Sequence, residues 1–172
     1  LLNDADRRWV AGSTMLAART AAPGKATMST FDFIASKQHG TVGTRLNESA
    51  RGRSGWVNSV FEVDLKSGKG RLLEAGTNYT QDWALDAGGA PVARTEWLPE
   101  RESFTLLVKR GGSWHKIYEE SRSEPLGLAG LTADGRSVVL LGPIGDGRSR
   151  AWAMPIDGSP HSVLYEEPEG TV

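Results

Sequence analysis

The chain contains no cysteine in its 172 residues. Disulfides, thiolate metal sites and cysteine nucleophiles are therefore excluded. The absence does not choose a compartment, because extracellular and periplasmic proteins can also lack cysteine. An excess of charge of one sign is missing too: 20 Lys and Arg stand against 21 Asp and Glu, a net charge of −1. No strong field draws nucleic acid or an anionic membrane, and no Lys/Arg run offers a docking patch. Runs of about 18 apolar residues, the length of a membrane-spanning helix, do not occur. The opening stretch LLNDADRRWVAG has neither the basic leader nor the long apolar centre of a signal peptide. It reads as starting inside an element, and the expectation is a segment of a longer protein. Helical periodicity is poor almost everywhere.

What is abundant is glycine, 21 residues. Turn signals recur every 8–12 residues, and the short segments between them carry Val, Leu, Trp, Phe and Tyr. That is the pattern of many short antiparallel strands. With 38% hydrophobic and 24% charged residues, the composition suits a packed core.

A repeat underlies the pattern. Aligning Leu85 with Leu131 brings Ala87 onto Ala133, Gly89 onto Gly135 and Val92 onto Val138, an offset of 46 residues. The stretch NDADRRWVAG (3–12) is aligned as a third copy of the same turn and strand. Downstream, Gly68, Gly112 and Gly158 lie 44 and 46 residues apart, each followed five residues later by an apolar residue: Leu73, Ile117 and Val163. A period in the mid-forties with four short strands is one blade of a β-propeller.

The expected fold is therefore all-β: about three four-stranded antiparallel blades of a partial propeller, with a long insertion in the first blade. The blade units run about 1–76 with the insertion at 17–55, then 77–121 and 122–168. In the first unit a second strand is expected near 8–16, and the last two near 56–65 and 70–75. The other expected strands are 80–86, 90–97, 103–110, 114–120, 126–132, 136–142, 149–156 and 161–166. Asp82–Trp83 suits the head of an inner strand. Closed propellers have four or more blades, so three leave open edges. The rest of the ring, or partners in an oligomer, would cover them.

The stretches VFEVDLKSGKGRLLEAGT and DWALDAGGAPVAR resemble the propeller of bacterial prolyl oligopeptidase-type serine peptidases, the group of dipeptidyl and acylaminoacyl peptidases. The positions that carry the resemblance are Phe61, Val63, Asp64, Leu65, Ser67, Gly68, Lys69, Gly76, Asp82 and Trp83. The later LTADGRSVVLL also fits that family's blade turns. The resemblance implies a propeller that admits peptides to an α/β-hydrolase domain and excludes folded proteins. The hydrolase domain with its catalytic triad is not in this chain. Similar blades occur in TolB-like propellers that carry no enzyme.

Few residues suggest chemistry of their own. Ser54, in GRSGW, departs from the G-x-S-x-G elbow at Trp56 and lacks a strand–helix context. His39, His115 and His161 show no metal-ligand spacing. Glu119–Glu120 and Glu166–Glu167 could hold a substrate ammonium, as a glutamate pair does in dipeptidyl peptidases. They recur at equivalent blade ends, however, and adjacent strand residues face opposite ways. Asn3–Asp4–Ala5–Asp6 lacks the glycine and distal carboxylate of a calcium loop and reads as a turn. The six tryptophans, Trp9, Trp56, Trp83, Trp97, Trp114 and Trp152, suit packing between blades. Arg51 and Arg53 are the candidate substrate-binding residues, since an arginine at the ring mouth can pair bidentately with a peptide carboxylate. No catalytic residue, metal or cofactor is assigned.

Three functions follow. The first is a non-catalytic propeller segment of a serine peptidase, with peptide as its partner through the absent hydrolase domain. The second is a stand-alone TolB-like module for protein binding. The third, a sugar- or metal-binding propeller enzyme, ranks last for want of convergent acids or histidines.

Overall fold

The computed structural model describes residues 9–17, 22–33, 56–145 and 147–166. It is all-β, with three four-stranded antiparallel sheets among the described residues. Sheet 1 runs β1 (Trp9–Ala17), β2 (Lys25–Phe33), β3 (Trp56–Asp64) and β4 (Gly70–Glu74). Sheet 2 runs β5 (Thr80–Leu85), β6 (Pro91–Leu98), β7 (Ser103–Arg110) and β8 (Ser113–Ser121). Sheet 3 runs β9 (Gly127–Leu131), β10 (Ser137–Pro143), β11 (Ser149–Pro155) and β12 (Ser162–Glu166). In each sheet the strands lie side by side in chain order, as in a propeller blade.

The turn glycines explain the repeat. Gly89 and Gly135, aligned by sequence, have φ of +83° and +68°. Gly68, Gly112 and Gly158 have φ of +69°, +84° and +86°. A Cβ makes this left-handed backbone costly, so each hairpin keeps a residue that lacks one. The apolar residue beyond the second set of turns also has a structural role. In each fourth strand one residue is skipped in the pairing: Leu73, Ile117 and Leu164. This is a β-bulge repeated in all three sheets, a device that bends a strand and disrupts its ladder. In the third sheet it falls on Leu164, one residue beyond the Val163 that the spacing picks out.

The first sheet differs from expectation. β1 opens the sheet, so the segment near 8–16 holds the first position and not the second. β2 occupies residues inside the stretch assigned to the insertion, which leaves 34–55 as the long connection between β2 and β3; those residues lie outside the described set. The reason is chemical. The buried positions of β2 include Thr27, Ser29 and Thr30 beside Ala26, so a strand buried by small hydroxyl residues carries little apolar alternation. Of NDADRRWVAG, residues 3–8 lie outside the described set and Trp9–Gly12 belong to β1. The turn before the second strand of this sheet is the one before β2, where Gly24 has φ +74°.

The chain divides into two compact units, 1–81 with 87–91, and 82–86 with 92–172. In the first, Val60 and Phe61 are fully buried. Thr27 Oγ1 donates to the Gly89 carbonyl at 3.4 Å, and Asn58 Nδ2 donates to the Gln81 carbonyl at 2.6 Å. Gly76 is held because a Cβ there would collide with the Asn58 carbonyl oxygen. In the second unit, one face of sheet 2 packs on one face of sheet 3. Ala93, Phe104, Leu106 and Val108 meet Val138, Leu140, Trp152 and Met154 in a single core. The two sheets join as sandwiches do, through rows of inward-facing residues.

Candidate functional site

Two side-chain clusters stand out, both in the second unit. The first lies on the face of sheet 2 opposite the core. β6 alternates, so Ala93 and Thr95 point into the core and Arg94 points the other way. Arg94 is 8% exposed. Its Cζ lies 4.6 Å from the centre of the Trp114 ring and 5.8 Å from that of Trp83. The two indoles meet edge to face at 5.8 Å, and Lys109 Nζ lies 5.7 Å from the Trp114 ring. Arg94 Nη2 bonds Glu96 Oε1 at 2.9 Å, whereas Arg94 Nε is buried without a hydrogen-bond partner. Residues from three strands, Trp83 on β5, Glu96 on β6 and Trp114 on β8, thus hold one guanidinium. The ring faces are electron-rich and attract the cation, and the carboxylate offsets the cost of taking the charge out of water. At the head of β5, the exposed Asp82 carboxyl is crowded enough that desolvation raises its pKa.

The second cluster lies along the outer strands. Tyr118 Oη donates to Glu120 Oε2 at 2.9 Å. Arg122 Nη1 donates to the same oxygen at 2.8 Å and to the Pro143 carbonyl at 3.0 Å, tying the end of sheet 2 to sheet 3. Burial, then the hydrogen bond to Glu120, push the Tyr118 phenol well above its ordinary range. His161 is exposed and packs edge-on against Tyr118 at 5.7 Å and Trp152 at 5.3 Å. Arg148 and Arg150 share Glu166 Oε1 at 3.1 and 3.0 Å, and these bonds lower the Glu166 pKa.

These contacts decide the fate of the candidate acids. Glu119 is taken by Lys116 and Ser103, which lower its pKa, while Glu120 serves Tyr118 and Arg122. Glu119 lies opposite Thr105 and Glu120 opposite Phe104, so their side chains leave opposite faces. They form no joint clamp. Glu166 is neutralised by two arginines, and Glu167 lies outside the described residues. His115 is exposed on β8, opposite Val108. Arg51 and Arg53 lie outside the described residues, as do Ser54, His39 and Asn3–Asp6. Among the described residues no group of three or more His, Asp or Glu could hold a metal ion, and no helix is long and apolar enough to cross a membrane. The tryptophan expectation holds for Trp152, which lies in the core between sheets 2 and 3. It holds also for Trp97, which packs against that core, while Trp83 and Trp114 lie against Arg94.

The positions that carry the resemblance also acquire physical content. Phe61 and Val63 are core residues, and Leu65 is 58% exposed. Asp64 Oδ1 accepts from Lys66 N at 3.1 Å, Ser67 N at 2.8 Å and Ser67 Oγ at 2.9 Å. Lys25 Nζ lies 3.2 Å from Oδ2. The Ser67 bonds, with Lys25 after them, hold the Asp64 pKa down to about 2. This is the self-closing turn typical of Asp.

No family model matches the chain, and no curated protein does. Among solved structures, the β-propeller domain of the Trilobed protease from Pyrococcus furiosus, described as having an open velcro topology, is similar in fold. The TM-score is 0.50 at 13% sequence identity, over 94% of this chain and 44% of the other. The fold is that of a partial β-propeller. This chain spans less than half the length of that propeller chain.

Proposed function

We propose that this chain is the non-catalytic propeller segment of a serine peptidase, and that it restricts peptide access to a hydrolase domain carried elsewhere in the parent polypeptide. The observation that carries the reading is the likeness in fold, over nearly the whole chain, to the propeller domain of a protease. The Asp64 turn and the Trp83 strand head, which underlie the resemblance to prolyl oligopeptidase-type peptidases, add to it. The side chains that suggested chemistry agree with a scaffold: Glu119, Glu120 and Glu166 are each engaged by neighbouring side chains. Arg51 and Arg53 are the proposed contacts for a peptide carboxylate, where a bidentate pair would orient the substrate.

The test is an assay of the complete polypeptide on short peptides and on the same sequences embedded in folded proteins. Cleavage of the short peptides alone is expected. Arg51→Ala with Arg53→Ala should raise KM by about tenfold with kcat unchanged, the signature of lost uniform binding. A complete polypeptide that neither cleaves peptides nor reacts with a fluorophosphonate overturns the reading.

A further inference from the structure

We infer that Asp157 is a site of spontaneous conversion to isoaspartate, and that the turn around Asp134 holds the same dipeptide against it. The chain carries three Asp–Gly pairs, at 134–135, 146–147 and 157–158; Asp146 lies outside the described residues. In such a pair the glycine amide nitrogen attacks the aspartate Cγ. An N–Cγ bond forms, the carboxyl hydroxyl leaves as water with the amide proton, and a succinimide ring closes. Water then opens the ring at the former main-chain carbonyl, so the backbone continues through Cβ. One water leaves and one returns, and no oxidant or enzyme takes part. Glycine permits the attack because it has no side chain to crowd the ring.

Both described pairs sit in the same kind of turn. Gly135 N donates to the Thr132 carbonyl at 2.8 Å, and Gly158 N to the Pro155 carbonyl at 3.0 Å. The nucleophile is engaged in each, so the reaction waits on local opening of the turn. The base of the turn sets how often that happens. At the first turn Asp134 Oδ1 accepts from Thr132 Oγ1 at 2.6 Å and from Arg136 N at 3.0 Å. Thr132 Oγ1 also accepts from Ser137 N at 3.1 Å, and Thr132 N donates to the Ser137 carbonyl at 2.9 Å. The β9–β10 ladder resumes at once, with Leu131 opposite Val138.

At the second turn Pro155 stands where Thr132 does. A proline has neither a hydroxyl nor an N–H, so both bonds at the base of the turn are lost. The Asp157 carboxylate keeps the hydroxyl and the backbone N of Ser159, the latter at 2.9 Å. Those donors lie on one residue, downstream of the turn, and tie it to no other strand. Residues Asp157 to His161 are all exposed, and the chain rejoins β11 only at Ser162, opposite Ala153. Two missing hydrogen bonds make opening about tenfold easier, so Asp157 converts about tenfold faster than Asp134. The product lengthens the β11–β12 connection by one backbone atom. Among the described residues β12 pairs with β11 alone, so the change acts on the edge of the sheet.

The complete polypeptide is incubated near neutral pH in water labelled with heavy oxygen, and the two peptides are mapped by mass spectrometry over time. Ring opening leaves the label in the product, so the label counts succinimide events. It should enter at Asp157 about tenfold faster than at Asp134, with isoaspartate accumulating at 157. In guanidinium the two rates should converge, because the turns are gone. Thr132→Val should raise the rate at 134 toward that at 157 in the folded chain. Equal rates in the folded chain overturn the inference, as does faster labelling at Asp134. So does a difference that survives in guanidinium, which would come from local sequence and not from the turns. A Thr132→Val chain with an unchanged rate at 134 overturns it too.

Discussion

Sheets 2 and 3 share four strands in the same order, the same turn glycines and the same bulge, yet they solve different problems. Sheet 2 places its large side chains, Phe104, Leu106 and Val108, on the face that meets sheet 3. On its other face it buries an arginine among two indoles and a carboxylate. Sheet 3 uses its large residues, Leu140, Trp152 and Met154, toward sheet 2 and leaves Leu141 and Tyr165 exposed on the far side. One strand plan therefore supports two kinds of face, and residue size and charge at fixed register positions choose between them.

The comparison predicts a wide gap in stability. Leu106→Ala should cost about 2–5 kcal/mol, the range for a buried leucine that leaves a cavity. Leu141→Ala, at the corresponding depth of sheet 3 but half exposed, should cost under about 1 kcal/mol. Denaturant midpoints measure both, and equal losses would break the distinction.

Charge gives the next contrast. Glu96→Ala removes the carboxylate from a buried pair and strands the Arg94 cation, at an expected cost of about 3 kcal/mol. Glu166→Ala touches a more exposed, solvent-screened pair and should cost clearly less than Glu96→Ala. Arg94→Met with Glu96→Leu should recover part of the first loss, since replacing a whole buried pair is often neutral.

Much of the second unit was legible in the sequence. Its eight strands fall within a residue or two of the expected bounds, because turn glycines with positive φ punctuate runs of Val, Leu and aromatics. β2 was hidden because Thr and Ser fill its buried positions. The Arg94 cluster was missed because its partners come from separate strands and meet only in the fold. A signal did exist: Arg94 aligns with Leu140, a core residue of the next repeat, so the arginine stands where the repeat elsewhere puts a hydrophobe. The sites at Arg51 and Arg53 rest on residue chemistry alone.

The smallest expected effect is in the turns. Asp64 should titrate at about 2, below its ordinary 3.8. Because the folded pKa is the lower one, the stabilisation is present above about pH 4 and lost as the pH falls toward 2. Ser67→Ala removes one donor to the carboxylate and should move the midpoint upward in an NMR titration. An unchanged midpoint would show that the serine hydroxyl contributes nothing.

The central claim is that the chain is a scaffold whose chemistry lies elsewhere in the parent polypeptide. The direct measurement is to label that polypeptide with a fluorophosphonate and locate the modified serine by peptide mass spectrometry. The account predicts a single modified serine outside residues 1–172. Modification of Ser54, or of any serine in this chain, would contradict it.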